Sequence, residues 1–131
     1  MARIPVTVLG ATGVVGQRFV RRLARHPLFE IRALAASERS AGKPYREACA
    51  WRLPGEAYAG LGDLPLVEAT PEAAFAPVVF SALDKGPAAQ LEPLFAARGA
   101  FIFSNASAFR MVADVPLLIP EVNPGSLALL K

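Results

Sequence analysis

The feature that most constrains this chain is a β-forming apolar run, Ile4 to Leu9, that passes directly into Gly10-Ala11-Thr12-Gly13-Val14-Val15-Gly16. From Val14 onward the apolar residues recur at helical spacing, and His26-Pro27 should stop that helix. Strand, glycine turn and helix in this order form the context in which a glycine fingerprint carries meaning. The spacing is G-x-x-G-x-x-G rather than G-x-G-x-x-G, but the physical demand is the same. Gly10 permits the tight turn, Gly13 lets the backbone approach a phosphate, and Gly16 brings the helix against the sheet. Unpaired amides at the helix start attract the anion, which makes Gly10, Thr12, Gly13, Val14, Val15 and Gly16 candidate dinucleotide contacts. The alternative is a glycine turn that serves packing alone.

The rest of the chain extends this unit. Glu30 to Ala36 reads as a second strand, and Ser37 to Lys43 as a polar loop. Residues 45 to 62 give no clear period, although Trp51, Leu53 and Tyr58 point to short strand or turn pieces and Pro54-Gly55 to a turn. Leu64 to Glu68, Pro77 to Ala82 and Gly99 to Ser104 are strand-length apolar segments. Between the last two, Ala88, Leu91, Leu94 and Phe95 share a helical face; Pro87 suits a first turn, and Pro93 should kink or split the helix. Pro116 to Pro120 reads as an edge strand. Asn123-Pro124 resembles the cap and first residue of a helix whose pattern, Leu127, Leu129 and Leu130, stops at Lys131, so the chain reads as cut. The expected fold class is α/β and Rossmann-like, with a mainly parallel sheet and helices on both faces, residues 1–131 forming one domain.

With 53% hydrophobic residues and a formal net charge of +3, the chain is neither disordered nor, given its short apolar runs, membrane-spanning. Arg3 and the apolar Ile4 to Gly16 imitate a signal peptide, but three glycines and the arginines that follow argue against targeting. One cysteine, Cys49, excludes an internal disulfide and a cysteine cluster for a metal, and the single His26 adds little to the ligand supply. Residues 1–65 hold ten Lys/Arg against five Asp/Glu, and residues 66–131 four against six. Aromatic residues do not interleave with the basic ones, which argues against a nucleic-acid platform. Arg18, Arg22 and Arg25 instead read as the solvated side of a helix that packs through Val15, Phe19 and Leu23.

Three more clusters sit where ligands collect in an open parallel sheet, at strand C-termini. A site for NAD would carry an acidic residue at the end of the second strand. Here that place is Ser37-Glu38-Arg39-Ser40-Ala41-Gly42-Lys43, whose hydroxyls at Ser37 and Ser40 and cations at Arg39 and Lys43 suit a 2′-phosphate, favouring NADP. Glu38 opposes this unless its carboxylate turns outward. Ser81-Ala82-Leu83-Asp84 ends another strand, with Asp84 placed to cap the next helix. In Ser104 to Met111, Asn105 and Ser107 can hydrogen-bond a ligand, and Arg110 can grip a carboxylate or phosphate in bidentate fashion.

The glycine turn, Ala36 to Lys43, Phe80 to Asp84, Ser104 to Met111 and Asp114-Val-Pro-Leu-Leu-Ile-Pro-Glu-Val-Asn-Pro124 occur in one order that resembles the cofactor-binding portion of aspartate-semialdehyde dehydrogenases, nearest the archaeal and fungal branch. The first motif is shared by many reductases; the last two are far more specific. The resemblance implies a cytoplasmic oxidoreductase, homo-oligomeric at full length. Its reaction would be reversible NADPH-dependent reduction of L-aspartyl 4-phosphate to aspartate 4-semialdehyde with release of phosphate, on the way to lysine, threonine and methionine. In that chemistry a cysteine thiolate attacks the carbonyl, a histidine moves protons and the nicotinamide exchanges hydride. By the same resemblance Ser37, Arg39, Ser40 and Lys43 hold the 2′-phosphate, and Ser81 and Leu83 lie along the pyrophosphate and nicotinamide side. Asn105 and Arg110 would meet the substrate phosphate.

The family's Pro-Asn-Cys motif and its histidine are absent from these 131 residues. Cys49, in Glu-Ala-Cys-Ala, reads as a small packing residue, and His26 as a helix-terminal cation or surface group. The expectation is an NADP-binding domain truncated before the catalytic and dimerisation domain, able to bind cofactor without performing the reaction. Sister enzymes on the same scaffold, N-acetyl-γ-glutamyl-phosphate reductase and malonyl-CoA reductase, and a free-standing NADP-binding module are the other readings.

Overall fold

The computed structural model describes residues 2–117 and 121–129. Five strands, β1 (Ile4–Leu9), β2 (Phe29–Ala36), β3 (Val67–Glu68), β4 (Val78–Ser81) and β5 (Phe101–Ser104), form one sheet in the order β3-β2-β1-β4-β5. Every pairing in it is parallel. Parallel neighbours cannot be joined by a hairpin, so each connection must cross a face of the sheet. Four helices occur on these connections: α1 (Val14–Leu23), α2 (Tyr45–Ala48), α3 (Pro71–Ala74) and α4 (Lys85–Ala97).

The alternation along β1 builds a separate core on each face. Val6 and Val8 pack with Val20 and Leu23 of α1 and with Leu34, Tyr45 and Leu66. On the other face Leu9 packs with Ala33, Ala35, Ala74 of α3, Val79 and Phe95 of α4. Each fully buried valine, leucine or phenylalanine contributes roughly 1.5–3 kcal/mol of transfer free energy. Helices therefore cover both faces, as the sequence pattern implies.

β2 reaches both cores by an irregularity. Val6 pairs with Ile31 but Thr7 with Ala33, so Arg32 is an extra residue in the ladder. Ile31 consequently joins the α1 core while Ala33 faces the α4 core, and Arg32 stays exposed. The bulge keeps a guanidinium out of the interior and inverts the strand's parity.

Several sequence expectations are corrected. The buried stripe of α1 is Gly16, Gln17, Val20 and Leu23, and Val15 is exposed. Gly16 is the contact that sets the helix rotation, and it lies one position round from Val15. On α4 the stripe is Ala88, Glu92 and Phe95 with Leu91 beside it, and Leu94 is half-exposed. Leu94 is six residues past Ala88, about a third of a turn away from the stripe. Pro93 does not split the helix: α4 runs through it, and both Pro93 and Ala89, whose carbonyl loses its partner, are exposed to water.

The expected strand at 64–68 shortens to Val67–Glu68, because Pro65 instead bridges antiparallel to Pro44. α3 was not anticipated; Thr70 caps it, accepting from the Ala73 amide, with Pro71 in its first turn. Residues 45–62 hold α2 and a 3-10 turn at Ala57–Gly60 rather than strand. Asp84 stands at the N-cap of α4, its carbonyl accepting from Ala88, but its side chain makes no capping bond. Of the expected edge strand at 116–120, residues 118–120 lie outside the described residues, and Pro116 and Leu117 are not extended into the sheet. Pro124–Leu129 is a 3-10 helix. No helix of the described residues is long and apolar enough to cross a membrane.

Gly13→Ala and Gly16→Ala should separate sharply in stability. A Cβ at Gly16 would stand 2.0 Å from the Gly10 carbonyl oxygen, whereas at Gly13 it meets only that oxygen at 3.9 Å. Urea titration should show a loss of about 3 kcal/mol or more for Gly16→Ala and less than about 1 kcal/mol for Gly13→Ala.

Candidate functional site

All five strands run the same way, so their C-terminal ends share one edge of the sheet. The order reverses between β1 and β4, opening a crevice at that edge where a ligand can lie. The glycine turn fills the floor of this crevice. Its amides at Gly10 and Ala11 both donate to the Ala35 carbonyl of β2, at 2.9 and 3.1 Å, and the Ala82 amide donates to the Leu9 carbonyl at 2.9 Å.

The three glycines differ in what the protein itself requires. Gly10 has φ +73°, and a Cβ there would come within 2.7 Å of the Ala82 carbonyl oxygen. Gly16 is closed by Gly10 itself. Gly13 is exposed with an ordinary φ of −77°, and the fold does not need it to be glycine. Packing alone therefore explains Gly10 and Gly16 but not Gly13. What Gly13 leaves open is the approach to the start of α1, where the amides of Val14, Val15 and Gly16 have no acceptor among the described residues. The Thr12 amide likewise has no acceptor among the described residues, and Val14 and Val15 are exposed. These are the groups that an anion at a helix N-terminus uses.

At the end of β2, next to this turn, Ser37 stands at the N-cap position of a 3-10 turn, Glu38–Ser40, with no capping bond from its side chain. The loop is tied down: Ser40 donates to Ser37 at 2.9 Å, Lys43 to Ser40 at 3.1 Å, and the Gly42 amide to Leu66 at 2.8 Å. Ser37, Glu38, Arg39 and Lys43 are exposed and Ser40 is half-buried. None of the ion pairs among the described residues uses Arg39, Lys43 or Arg110. A held backbone carrying unpaired cations is suited to a phosphate.

Ser81 and Leu83 lie across the crevice. Ser81 is fully buried and its hydroxyl has no partner among the described residues, while its carbonyl accepts from the Asn105 amide at 2.9 Å. Leu83 is half-buried. Asn105 and Arg110 are both exposed beyond β5. The start of that loop is anchored by Ser104, whose hydroxyl donates to the buried Glu92 carboxylate of α4 and accepts from the Ala106 amide at 3.0 Å.

Two functional-looking residues escaped the sequence reading: Gln17 and Tyr45. Both are buried directly behind the turn, Gln17 donating to the Thr12 carbonyl at 3.0 Å and Tyr45 to the Ala11 carbonyl at 2.7 Å. The signal for Gln17 was an amide on the stripe of α1 that should be apolar; Tyr45 sits in a stretch with no period to expose it. Cys49 joins them, its thiol donating to the Thr12 carbonyl at 3.5 Å. Burial pushes that thiol up, only partly offset by hydrogen bonding with Tyr45 and Gln17. It stays protonated at neutral pH and is a donor, not a nucleophile. His26, at the far end of α1, accepts from the Leu28 amide at 3.0 Å and packs on Phe29.

The chain matches, over residues 5–130, the family described as the semialdehyde dehydrogenase NAD binding domain. The chain belongs to this family. It is 49% identical over 129 residues to the aspartate-semialdehyde dehydrogenase of Archaeoglobus fulgidus, a match covering 98% of this chain and 38% of that protein. It is 50% identical to that of Methanothermobacter thermautotrophicus, again over 98% of this chain and 37% of the relative. The crystal structure of the Candida albicans aspartate-semialdehyde dehydrogenase with NADP superposes with a TM-score of 0.91 at 43% identity, over 97% of this chain and 36% of that one. The chain thus spans a little over a third of the length of each of these three relatives, two of them archaeal and one fungal.

Buried and held protonated, the Cys49 thiol should resist modification. At neutral pH a thiol-specific disulfide reagent should leave the folded chain unmodified and titrate one equivalent after denaturation; rapid reaction of the folded chain would contradict the buried, protonated thiol.

Proposed function

We propose that this chain is the NADP-binding portion, residues 1–131, of a phosphorylating aspartate-semialdehyde dehydrogenase. The observation that carries the reading is the crevice at the sheet's switch point, where open space at Gly13 lies over the unpaired amides of Thr12, Val14 and Val15. The identity to archaeal relatives of that name over 98% of the chain supports the substrate assignment.

Gly10 shapes the turn, Gly16 seats the helix, and the amides at 12, 14 and 15 receive the pyrophosphate across Gly13. Ser37, Arg39, Ser40 and Lys43 receive the 2′-phosphate, with Arg39 as the fork and Lys43 as the point charge. Leu83 borders the nicotinamide side, and Ser81, its hydroxyl buried, supports that wall from within β4. When bound, the nicotinamide supplies the hydride acceptor or donor. Asn105 and Arg110 meet the substrate phosphate. Arg110 is exposed and outside the ion pairs of the described residues, as a group awaiting an anion must be. The nucleophile and proton carrier are not supplied by Cys49 or His26, one locked as a hydrogen-bond donor and the other remote from the crevice.

Calorimetric titration should give tighter binding of NADP than of NAD. Arg39→Ala should weaken NADP roughly 10- to 100-fold and NAD little, the value of a charge-assisted bond to a phosphate; equal losses for both would remove the loop from the site. Gly13→Val should abolish binding of either dinucleotide while circular dichroism stays that of the folded chain, and a folded variant that binds normally would return the turn to packing alone.

The division of labour gives a further expected outcome. Followed by NADPH absorbance, the 131-residue chain should show no phosphate-dependent oxidation of aspartate semialdehyde. The same residues joined to a Cys- and His-bearing catalytic domain should show it, and Arg110→Ala in the joined protein should impair it while sparing NADP binding. Turnover by the 131 residues alone would sink the assignment of chemistry elsewhere.

A further inference from the structure

The turn's outward face is unpaired, but its inward face is held by side chains from two directions. The Ala11 carbonyl accepts from the Tyr45 hydroxyl at 2.7 Å. The Thr12 carbonyl accepts from Gln17 Nε2 at 3.0 Å and from Cys49 Sγ at 3.5 Å. Tyr45, Gln17 and Cys49 are respectively 0%, 1% and 4% exposed, so none of these donors has water as a substitute partner. Because a peptide unit is planar and trans, its carbonyl and the following amide point in opposite directions. Holding the Ala11 oxygen inward therefore turns the Thr12 N–H outward, and that amide is one of those without an acceptor. The next peptide is different: the Gly13 amide closes the turn onto the Gly10 carbonyl at 3.3 Å.

The donors are themselves anchored. Gln17 Nε2 also reaches the Ala50 carbonyl at 3.1 Å, and its Oε1 accepts from the Arg52 amide at 2.9 Å. The Tyr45 ring lies edge-on to Tyr58, whose hydroxyl is 2.8 Å from the Cys49 carbonyl. Tyr58 holds a left-handed backbone, φ 57°, which a non-glycine residue keeps only when its surroundings compensate. The stretch 45–58, which has no place in the sheet, is thus folded as a fixed backing to the turn.

We propose that Tyr45 is a positioning residue for the dinucleotide: its hydroxyl, through the Ala11 carbonyl, aims the Thr12 amide at the pyrophosphate. This rests on the dinucleotide reading above. A tyrosine that served only the core would change the stability of the chain, not the affinity of the molecules that remain folded. A tyrosine that aims one amide changes affinity for ligands carrying the pyrophosphate and leaves the adenosine end alone.

The test is calorimetry on the 131-residue chain and its Tyr45→Phe variant, at a temperature where circular dichroism shows both folded, with NADP, NAD and 2′-AMP, which has the 2′-phosphate but no pyrophosphate. The expected result is a five- to tenfold loss for NADP and NAD alike, as one directed hydrogen bond is worth, with 2′-AMP within twofold of the parent chain. An unchanged affinity for NADP, or an equal loss for 2′-AMP, overturns the proposal. A second measurement needs no variant: in a 15N–1H spectrum of the parent chain, NADP should shift the Thr12 amide together with those of Val14 and Val15. If Tyr45→Phe does not fold, this spectrum decides, and a Thr12 amide that stays put while Val14 and Val15 move overturns the proposal. Failure of the parent chain to bind either dinucleotide is seen before any variant is made; it removes the dinucleotide reading and this proposal with it.

Discussion

The rest of this structure hangs on one backbone contact, Gly16 of α1 against the carbonyl of Gly10. A single added carbon there would stand 2.0 Å from an oxygen. The contact sets how close α1 can come to β1, and it also sets the rotation of the helix, which is why Val20 and Leu23 go inside and Val15 stays out. The same turn is pressed from the other side, since Gly10 leaves no room for a Cβ beside the Ala82 carbonyl just past β4. Three elements therefore converge on a turn with almost no side chains. The residues around it are correspondingly small: Ala11, Ala33, Ala35 and Ala36 are all buried. Dispersion is gained there by closeness rather than by side-chain bulk.

Closeness of this kind has a cost in hydrogen bonding. A turn pinned between two strands and a helix buries carbonyls that would otherwise meet water, and each left unpaired would cost about 1–3 kcal/mol. The chain answers with donors from outside the sheet, namely the Tyr45 hydroxyl, the Gln17 amide and the Cys49 thiol. The phenol of Tyr45 is held well above its ordinary range, chiefly by burial and next by the neighbouring Cys49, so it is a protonated donor at neutral pH. The cysteine is thus conscripted by the turn and withdrawn from chemistry.

Most of the architecture was legible because its signals are periodic or steric. β1 was read to the residue, and β2, β4 and β5 to within one or two, since continuous apolar runs bounded by glycine, proline and charged residues leave few alternatives. The glycine turn was legible because three glycines at that spacing between strand and helix have few other uses. What escaped lacks a pattern. Arg32 as the extra residue of a bulge, Glu92 as the buried partner of Ser104, and the whole of 45–58 are decided by tertiary contacts. Leu94 and Val15 depart from the expected stripes for a simpler reason: an apolar residue near a stripe need not belong to it, and here Glu92 and Gly16 are among the buried positions on polar and steric grounds.

Under the dinucleotide reading, affinity and discrimination are physically separate in this molecule. The pyrophosphate meets main-chain amides at 12, 14 and 15, which no substitution other than proline deletes and whose direction is set by the turn, by α1 and by the residues behind them. The 2′-phosphate meets side chains on a loop that hangs from β2 by its own backbone bonds and from Leu66 by two more, Gly42 to Leu66 at 2.8 Å and Leu66 to Lys43 at 2.9 Å. That loop bears no load for either core, since Ser37, Glu38, Arg39 and Lys43 are all exposed. Its side chains can therefore change without disturbing the glycine turn, and the turn cannot change without disturbing α1, β2 and β4 together. The preference between the two nicotinamide cofactors is accordingly the property of this domain that the fold constrains least.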